Sequence, residues 1–205
     1  MIERVVTSGI FSLDGADFEV ENNIWVVGDE REVVVVDAAH DHRPIAEMIG
    51  DRRTVAIIAT HGHNDHINAA VALAEAVDAP VWLHPADRML WDVVHPGRAP
   101  DADLADGQVV GVAGVSLTVL ATPGHSPGGV SLHDAAGEVV FTGDTLFRGG
   151  PGATGRSFSD YGTIVDSIRD RLLVLPPTTR VLTGHGDETT IGDEAAQLVE
   201  WEAAR

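Results

Sequence analysis

The chain has 205 residues, a net charge of −19, no cysteine, and arginine in all 13 of its strongly basic positions. Without cysteine there can be no disulfide, zinc thiolate or iron–sulfur cluster, so any bound metal must be held by nitrogen and oxygen. The charge leaves no basic stripe for a nucleic acid. No apolar run reaches the ~18 residues of a membrane span, and Met1–Val5 lacks the pattern of a secretion signal. A single domain over residues 1–205 in the cytoplasm is expected.

Ile2 to Leu13, Phe18 to Val27 and Glu32 to Val36 read as strands. The run Val33-Val34-Val35-Val36 is too β-branched for a helix and too apolar for an exposed edge, so it marks a central strand. Asp37 ends that run, either as a turn-former or as a hydrogen-bond partner of a metal-bound histidine. His40 and His42 fall in a polar turn and are expected at the surface. A short helix over Arg43–Asp51 precedes a strand over Thr54–Thr60. A helix rich in Ala and Leu is expected from Ile67 to Val77, then a strand over Val81–His84 and a helix over Pro85–Val94. His84 and His95 flank that helix beside prolines, which points to capping or turn packing. Asp92 to Gly107 reads as a loop or flap.

Strands follow over Gln108–Val112 and Ser116–Ala121, joined through Ala113-Gly114. Another pair, Gly129–His133 and Glu138–Thr142, is joined through residues 134–137. A glycine-rich loop over Arg148–Ser157 leads into a helix over Asp160–Leu175. A last strand over Arg180–Thr183 and a helix over Ile191–Ala204 close the chain. The four tryptophans, Trp25, Trp82, Trp91 and Trp201, are assigned to core or rim. The element order fits two sheets packed face to face with helices outside.

The chemistry gathers at strand ends. His61-Gly62-His63-Asn64-Asp65-His66 sits where a strand stops and a helix starts. His125, Asp144 and His185 follow at later breaks, each beside glycine. Neutral imidazole and carboxylate suit zinc and other borderline divalent metals. His61 and His63 are two apart and point the same way in an extended loop, whereas the adjacent Asp65 and His66 diverge. That geometry suits two neighbouring ions better than one.

With these residues in order, the sequence resembles the metallo-β-lactamase-fold hydrolase superfamily and its His-x-His-x-Asp-His signature. The resemblance implies an α/β four-layer αββα sandwich with the site at one edge. It also implies His61, His63 and His125 on one ion, Asp65, His66 and His185 on the other, and Asp144 bridging both. Two divalent ions are implied, zinc by default, with iron or manganese also admitted. Thr122–Gly128 and Gly143–Phe147 resemble the glyoxalase II-like group.

The chain ends about twenty residues after His185, short of the helical extension of glyoxalase II proper, and it has no Lys to meet the carboxylates of glutathione. Its composition and its opening block, Ser8–Phe11 and Asn22–Trp25, resemble actinobacterial relatives linked to thiol-dependent formaldehyde oxidation. The implied reaction is hydrolysis of an S-formyl or S-acyl thioester of mycothiol or a similar small thiol by a metal-bound hydroxide. Asp65 has two open roles, ligand or proton acceptor. Phe147, Arg148, Arg156 and Tyr161 are the expected substrate contacts. A lactonase, a β-lactamase, a mononuclear-iron persulfide dioxygenase and a non-catalytic metal-binding module are the competing readings.

Overall fold

The structure is a computed structural model and describes residues 1–204. β1 (Ile2–Leu13) and β2 (Ala16–Gly28) form one long antiparallel hairpin, in unbroken register from Ile2↔Val27 to Leu13↔Ala16. Asp14 and Gly15 turn it with φ of 53° and 75°, the left-handed pair that matches strand twist in a two-residue turn. β3 (Glu32–Val36) pairs antiparallel with β2. After α1 (His42–Ile49), β4 (Arg53–Ile58) adds parallel to β3. α2 (Asn64–Ile67) and α3 (Ala70–Val77) lead to β5 (Val81–Leu83), parallel to β4. A 3₁₀ turn over Pro85–Asp87 and α4 (Arg88–Val94) lead to β6 (Ala102–Asp103), parallel to β5, so the stretch expected to be open loop completes the sheet.

The second sheet is built from β7 (Val109–Val112), β8 (Val115–Ala121), β9 (Val130–Asp134) and β10 (Val139–Gly143), each antiparallel to the one before. β11 (Leu146–Phe147) and β12 (Gly150–Pro151) make a small ribbon apart from it. After α5 (Tyr161–Ser167), β13 (Arg180–Thr183) joins parallel to β10 and β14 (Thr189–Thr190) closes the edge. α6 (Ile191–Ala195) and α7 (Leu198–Ala203) follow. The strand orders are β1-β2-β3-β4-β5-β6 and β14-β13-β10-β9-β8-β7.

Alternation along the strands explains the layering. Val33 and Val35 pack outward with Ile45 and Ile49 of α1 and Leu73 of α3. Their neighbours Val34 and Val36 face inward, with Trp25, Ile58, Leu117, Phe141 and Leu182, into the core between the sheets. Val140 and Val181 point out of the second sheet onto Ile164, Val165 and Ile168. Three apolar cores therefore separate four layers, helix–sheet–sheet–helix, as the sequence reading expected. Phe141 is wholly buried between the sheets, and its truncation to Ala costs about 3–5 kcal/mol.

Three expected helices are interrupted. The helix after β4 begins earlier, at Asn64, and breaks at Asn68-Ala69, where the Ala69 amide donates to the Ala38 carbonyl at 3.1 Å. The helix from residue 160 passes from α5 into a wider π turn over Ile168–Leu172. The last helix is split between α6 and α7 at residues 196–197. Among the described residues, no helix is long and apolar enough to cross a membrane.

Candidate metal centre

The centre lies along one rim of the sandwich, where strand ends of both sheets meet. Beyond β4, the loop from Thr60 carries His61 and His63, and α2 carries Asp65 and His66 on its first turn. The β8–β9 loop carries His125, Asp144 follows β10, and His185 follows β13. The second sheet's loop is stitched to the first sheet by β2. Asn23 donates its amide N–H to the Gly184 carbonyl at 2.7 Å and its side chain to the Thr183 and Gly186 carbonyls, while Trp25 Nε1 donates to Thr183 at 3.1 Å. Gly184 is required by close approach, since a Cβ there would stand 2.3 Å from Asp144 Oδ1 and 2.7 Å from His66 Cε1.

The seven residues named from the motif converge into two triads. In the first, His63 Nδ1 stands 3.0 Å from His61 Nε2 and 2.9 Å from His125 Nε2. In the second, His185 Nε2 stands 3.2 Å from His66 Nε2 and 3.3 Å from Asp65 Oδ2. Asp144 lies between them: Oδ2 is 3.6 Å from His125 Nε2 and 3.4 Å from His185 Nε2, and Oδ1 is 3.3 Å from His66 Nε2. Imidazole lone pairs this close repel unless a cation or a proton sits among them, so the donor set fits two divalent ions. Asp144 Oδ1 is buried with no hydrogen-bond partner, which the same ions would supply.

The outer ring nitrogens set the tautomers. His66 Nδ1 meets Asp37 Oδ2 at 2.9 Å, His125 Nδ1 meets the Ala153 carbonyl at 2.8 Å, and His185 Nδ1 meets the Glu21 carbonyl at 2.6 Å. His61 Nδ1 reaches Thr60 Oγ1 at 3.2 Å, and that hydroxyl donates to Asp37 Oδ2 at 2.8 Å. Each acceptor takes the outer ring N–H, which leaves Nε2 as the nitrogen aimed at the centre. Of the two roles open for Asp37, the structure thus shows the hydrogen bond to a ligand histidine.

Protonation divides the triads. Burial pushes His61 well below its usual range and His63 down to about 3, with neighbouring imidazoles adding to the effect. Burial also opposes charge on His66 and His185. There the carboxylates of Asp144 and Asp65 win, holding His66 well above its usual value and His185 at about 10. Burial works against a charged Asp144 too, but His66 and His185 hold it well below the usual carboxylate range.

Three functional groups escaped the sequence reading. Asp87 is fully buried, and its carboxylate accepts from the Gly62 amide at 2.8 Å, Ser126 Oγ at 2.6 Å and the Gly128 amide at 2.5 Å. It ties together the two loops that carry the first triad. Burial raises its pKa against those three bonds. Asn22 is buried against the second triad. His40, expected at the surface, is half-buried and bonds Asn22 Oδ1 through Nε2 at 2.8 Å. A positive φ of 58° turns its ring inward, against the expectation of a solvated turn. His84 and His95 act as read: His84 accepts from the Ala86 amide, and His95 bonds the Ile67 carbonyl at 2.8 Å.

A small pocket beside the first triad is lined by Phe11, Leu13, His63, His125, Arg156 and Ser157, among others. The hairpin forms its roof. Asn64, inside the motif, accepts from the Ser12 amide and donates to the Ile10 carbonyl, both at 2.8 Å, pinning the free edge of β1. Arg156 lies 4.7 Å over the Phe18 ring, and the Ser157 amide donates to Asp14 at 3.0 Å. Of the other expected contacts, Phe147 stands 6.2 Å from the His185 ring and Arg148 pairs with Asp187 at 3.5 Å. Tyr161 is drawn away: its ring packs on the third core and its hydroxyl donates to the Trp201 carbonyl.

Residues 18–185 match the sequence profile of the Metallo-beta-lactamase superfamily. The chain belongs to that superfamily, whose members are mostly metal-dependent hydrolases. It is 33% identical to the hydroxyacylglutathione hydrolase GloC of Haemophilus influenzae, covering 83% of this chain and 87% of that one. Among solved structures it resembles the BLEG-1 B3 metallo-beta-lactamase, with a TM-score of 0.78 and 30% identity over 93% of this chain and 97% of that one. It also resembles TTHA1623 in a di-iron-bound form, with a TM-score of 0.77 and 35% identity over 86% of this chain and 93% of that one.

Proposed function

We propose that the protein is a binuclear metal-dependent thioesterase of the glyoxalase II-like kind. The observation that carries this reading is the pair of triads sharing Asp144, set beside a small pocket with an apolar roof and a cationic mouth. Two divalent ions there, zinc or iron by the chemistry of the donors, would supply Lewis acidity for a thioester carbonyl and lower the pKa of water to near neutrality.

The chain's own groups do the rest. His61, His63 and His125 would hold one ion and Asp65, His66 and His185 the other, with Asp144 between the two triads as a shared carboxylate. Asp65 serves as a ligand, because its Oδ2 already faces His185 Nε2 at 3.3 Å. Phe11 and Leu13 exclude water and receive the apolar part of the substrate. Arg156 is the substrate's anion partner. Each of the other described arginines except Arg4 has a carboxylate within 4.0 Å, whereas Arg156 at the pocket mouth lies over the Phe18 face, with the Asp14 carboxylate near enough to feel its charge but outside that distance. In a chain with 32 acidic residues, an arginine outside any close ion pair can turn to a carboxylate or phosphate of the substrate. The small thiol is mycothiol or a similar carrier, and the likeness to a hydroxyacylglutathione hydrolase makes glutathione the comparison compound.

The test is hydrolysis of a panel of S-formyl and S-acyl thioesters of several thiols, by protein of measured metal content. The panel includes a lactone, a β-lactam and a glutathione persulfide with oxygen uptake recorded. Thioester turnover that scales with two ions per chain is expected. Faster turnover of the lactone or β-lactam, oxygen uptake with one iron, or no turnover at full metal loading would each replace this reading with its named rival.

A further inference from the structure

Asn22 is wholly buried on β2, and its terminal Nδ2 lies 3.1 Å from Asp65 Oδ2, 3.2 Å from His66 Nε2 and 3.4 Å from His185 Nε2. An amide terminus within reach of all three donors of the second triad can do one of two things. With N–H inward it donates to Asp65; with oxygen inward it becomes an additional ligand. Nitrogen and oxygen of an amide are told apart by their partners, and here the partners form a chain with a fixed start.

The start is the backbone N–H of His40, which can only donate. It donates to Asn68 Oδ1 at 2.5 Å. The other end of the Asn68 amide, Nδ2, therefore faces His40 Nδ1, 3.2 Å away, and donates to it. An imidazole that accepts at Nδ1 carries its proton on Nε2. Nε2–H donates to Asn22 Oδ1 at 2.8 Å, which turns Asn22 Nδ2 to the triad and onto Asp65. Every link follows from the one before.

The chain is built at a cost. His40 keeps a φ of 58°, which is unfavourable for any residue with a Cβ. Gly9 makes room for the ring, since a Cβ there would stand 2.2 Å from His40 Nδ1. Burial holds the His40 pKa below its ordinary value, consistent with the neutral tautomer the chain needs.

We infer that His40 and Asn68 are positioning residues that lock Asn22 as a donor to Asp65, keep its oxygen from ligating the second ion, and so leave a coordination position there for the substrate. The inference rests on the two-ion reading above, because catalysis at a metal needs such an open position.

Two variants test it. His40→Gly suits the positive φ and removes only the imidazole, so Asn22 is free to turn its oxygen inward. The expected result is an inverse pair: the second ion binds about 10-fold tighter, the scale of changes around metal ligands, while kcat falls by a similar factor and KM stays near its starting value. A loss of both affinity and kcat, or no change in either, would overturn the lock. The second variant, Asn68→Asp, presents acceptors to both the His40 amide and Nδ1, and should move the ring proton from Nε2 to Nδ1. Nitrogen NMR of the metal-free protein reads that directly. Protonated Nε2 in the parent and protonated Nδ1 in Asn68→Asp are expected, and a parent protonated on Nδ1 would sink the inference. That arm needs no metal: if the parent binds only one ion, the two-ion reading fails while the tautomer still decides the lock.

Discussion

Two buried imidazoles of the first triad, His61 and His63, are held neutral by burial. Across Asp144, the second triad surrounds His66 and His185 with carboxylates that push both pKa values up against the same burial, His185 to about 10. Their supports differ as well. The loops of the first are clamped by the buried carboxylate of Asp87, whereas in the second the Asp37 carboxylate holds the His66 ring and Asn22, backed by the His40 imidazole, holds Asp65. The contrast teaches that similar donor sets in one site need not load alike. His61 and His63 present bare lone pairs, while His185 must release a proton before it can take an ion.

Asp144→Ala should erase the contrast with the largest effect. Both ions should be lost together, with turnover down by about 10³-fold, the scale seen when a main electrostatic stabiliser is removed. Near-normal turnover in a metal-free Asp144→Ala protein would break the scheme altogether.

Raising the pH sharpens the contrast. Because His185 titrates at about 10, it carries a proton at neutral pH, and the same carboxylates shift His66 upward. Binding at the second triad should therefore strengthen as pH rises from about 7 to 9, by roughly tenfold per pH unit for each proton released, and level off above about 10. The first triad, with His63 at about 3, should show a much flatter profile. Chelator-competition titrations, with proton release measured in two buffers, would show both slopes; equal slopes would contradict the division.

Asp87→Asn probes the first half alone. It keeps the size but gives up an acceptor for Gly62, Ser126 or Gly128, costing about 1–3 kcal/mol of stability as a buried donor goes unpaired. Thermal unfolding should show that loss, together with about tenfold weaker binding of the first ion and little change at the second. The smallest effects separate the two arginines. Arg156→Ala should raise KM about tenfold for an anionic substrate, the worth of a partly exposed charge-assisted bond, with kcat nearly unchanged. Arg148→Ala, which breaks only an exposed pair with Asp187, should move neither by more than about twofold.

The candidate metal donors were legible in the sequence because each is local to a strand end: His61 to His66 after β4, His125 after β8, Asp144 after β10, His185 after β13. Val33–Val36 likewise announced a strand buried on both faces. What the sequence hid depends on contacts between distant segments. Asp87 follows a proline at a helix start, which reads as a capping position, and its three partners lie 25 to 41 residues away. His40 sits among Asp and His, the composition of a solvated turn, and only its left-handed backbone and the gap at Gly9 bring the ring inside. The break at Asn68-Ala69 was hidden for a related reason: Ala69 is a strong helix former, but the Ala38 carbonyl claims its amide.

One residue of the motif, Asn64, binds no ion in either triad and instead ties the roof hairpin to the floor of the site. The tip of that hairpin, around Phe11 and Leu13, supplies none of the seven donors, whereas Glu21 and Asn22 further along β2 hold His185 and Asp65. Selectivity at the tip and chemistry at the base are thereby separable along one hairpin. An engineer could graft a different tip above Asn64 and expect the reaction to follow the ions and the choice of substrate to follow the graft.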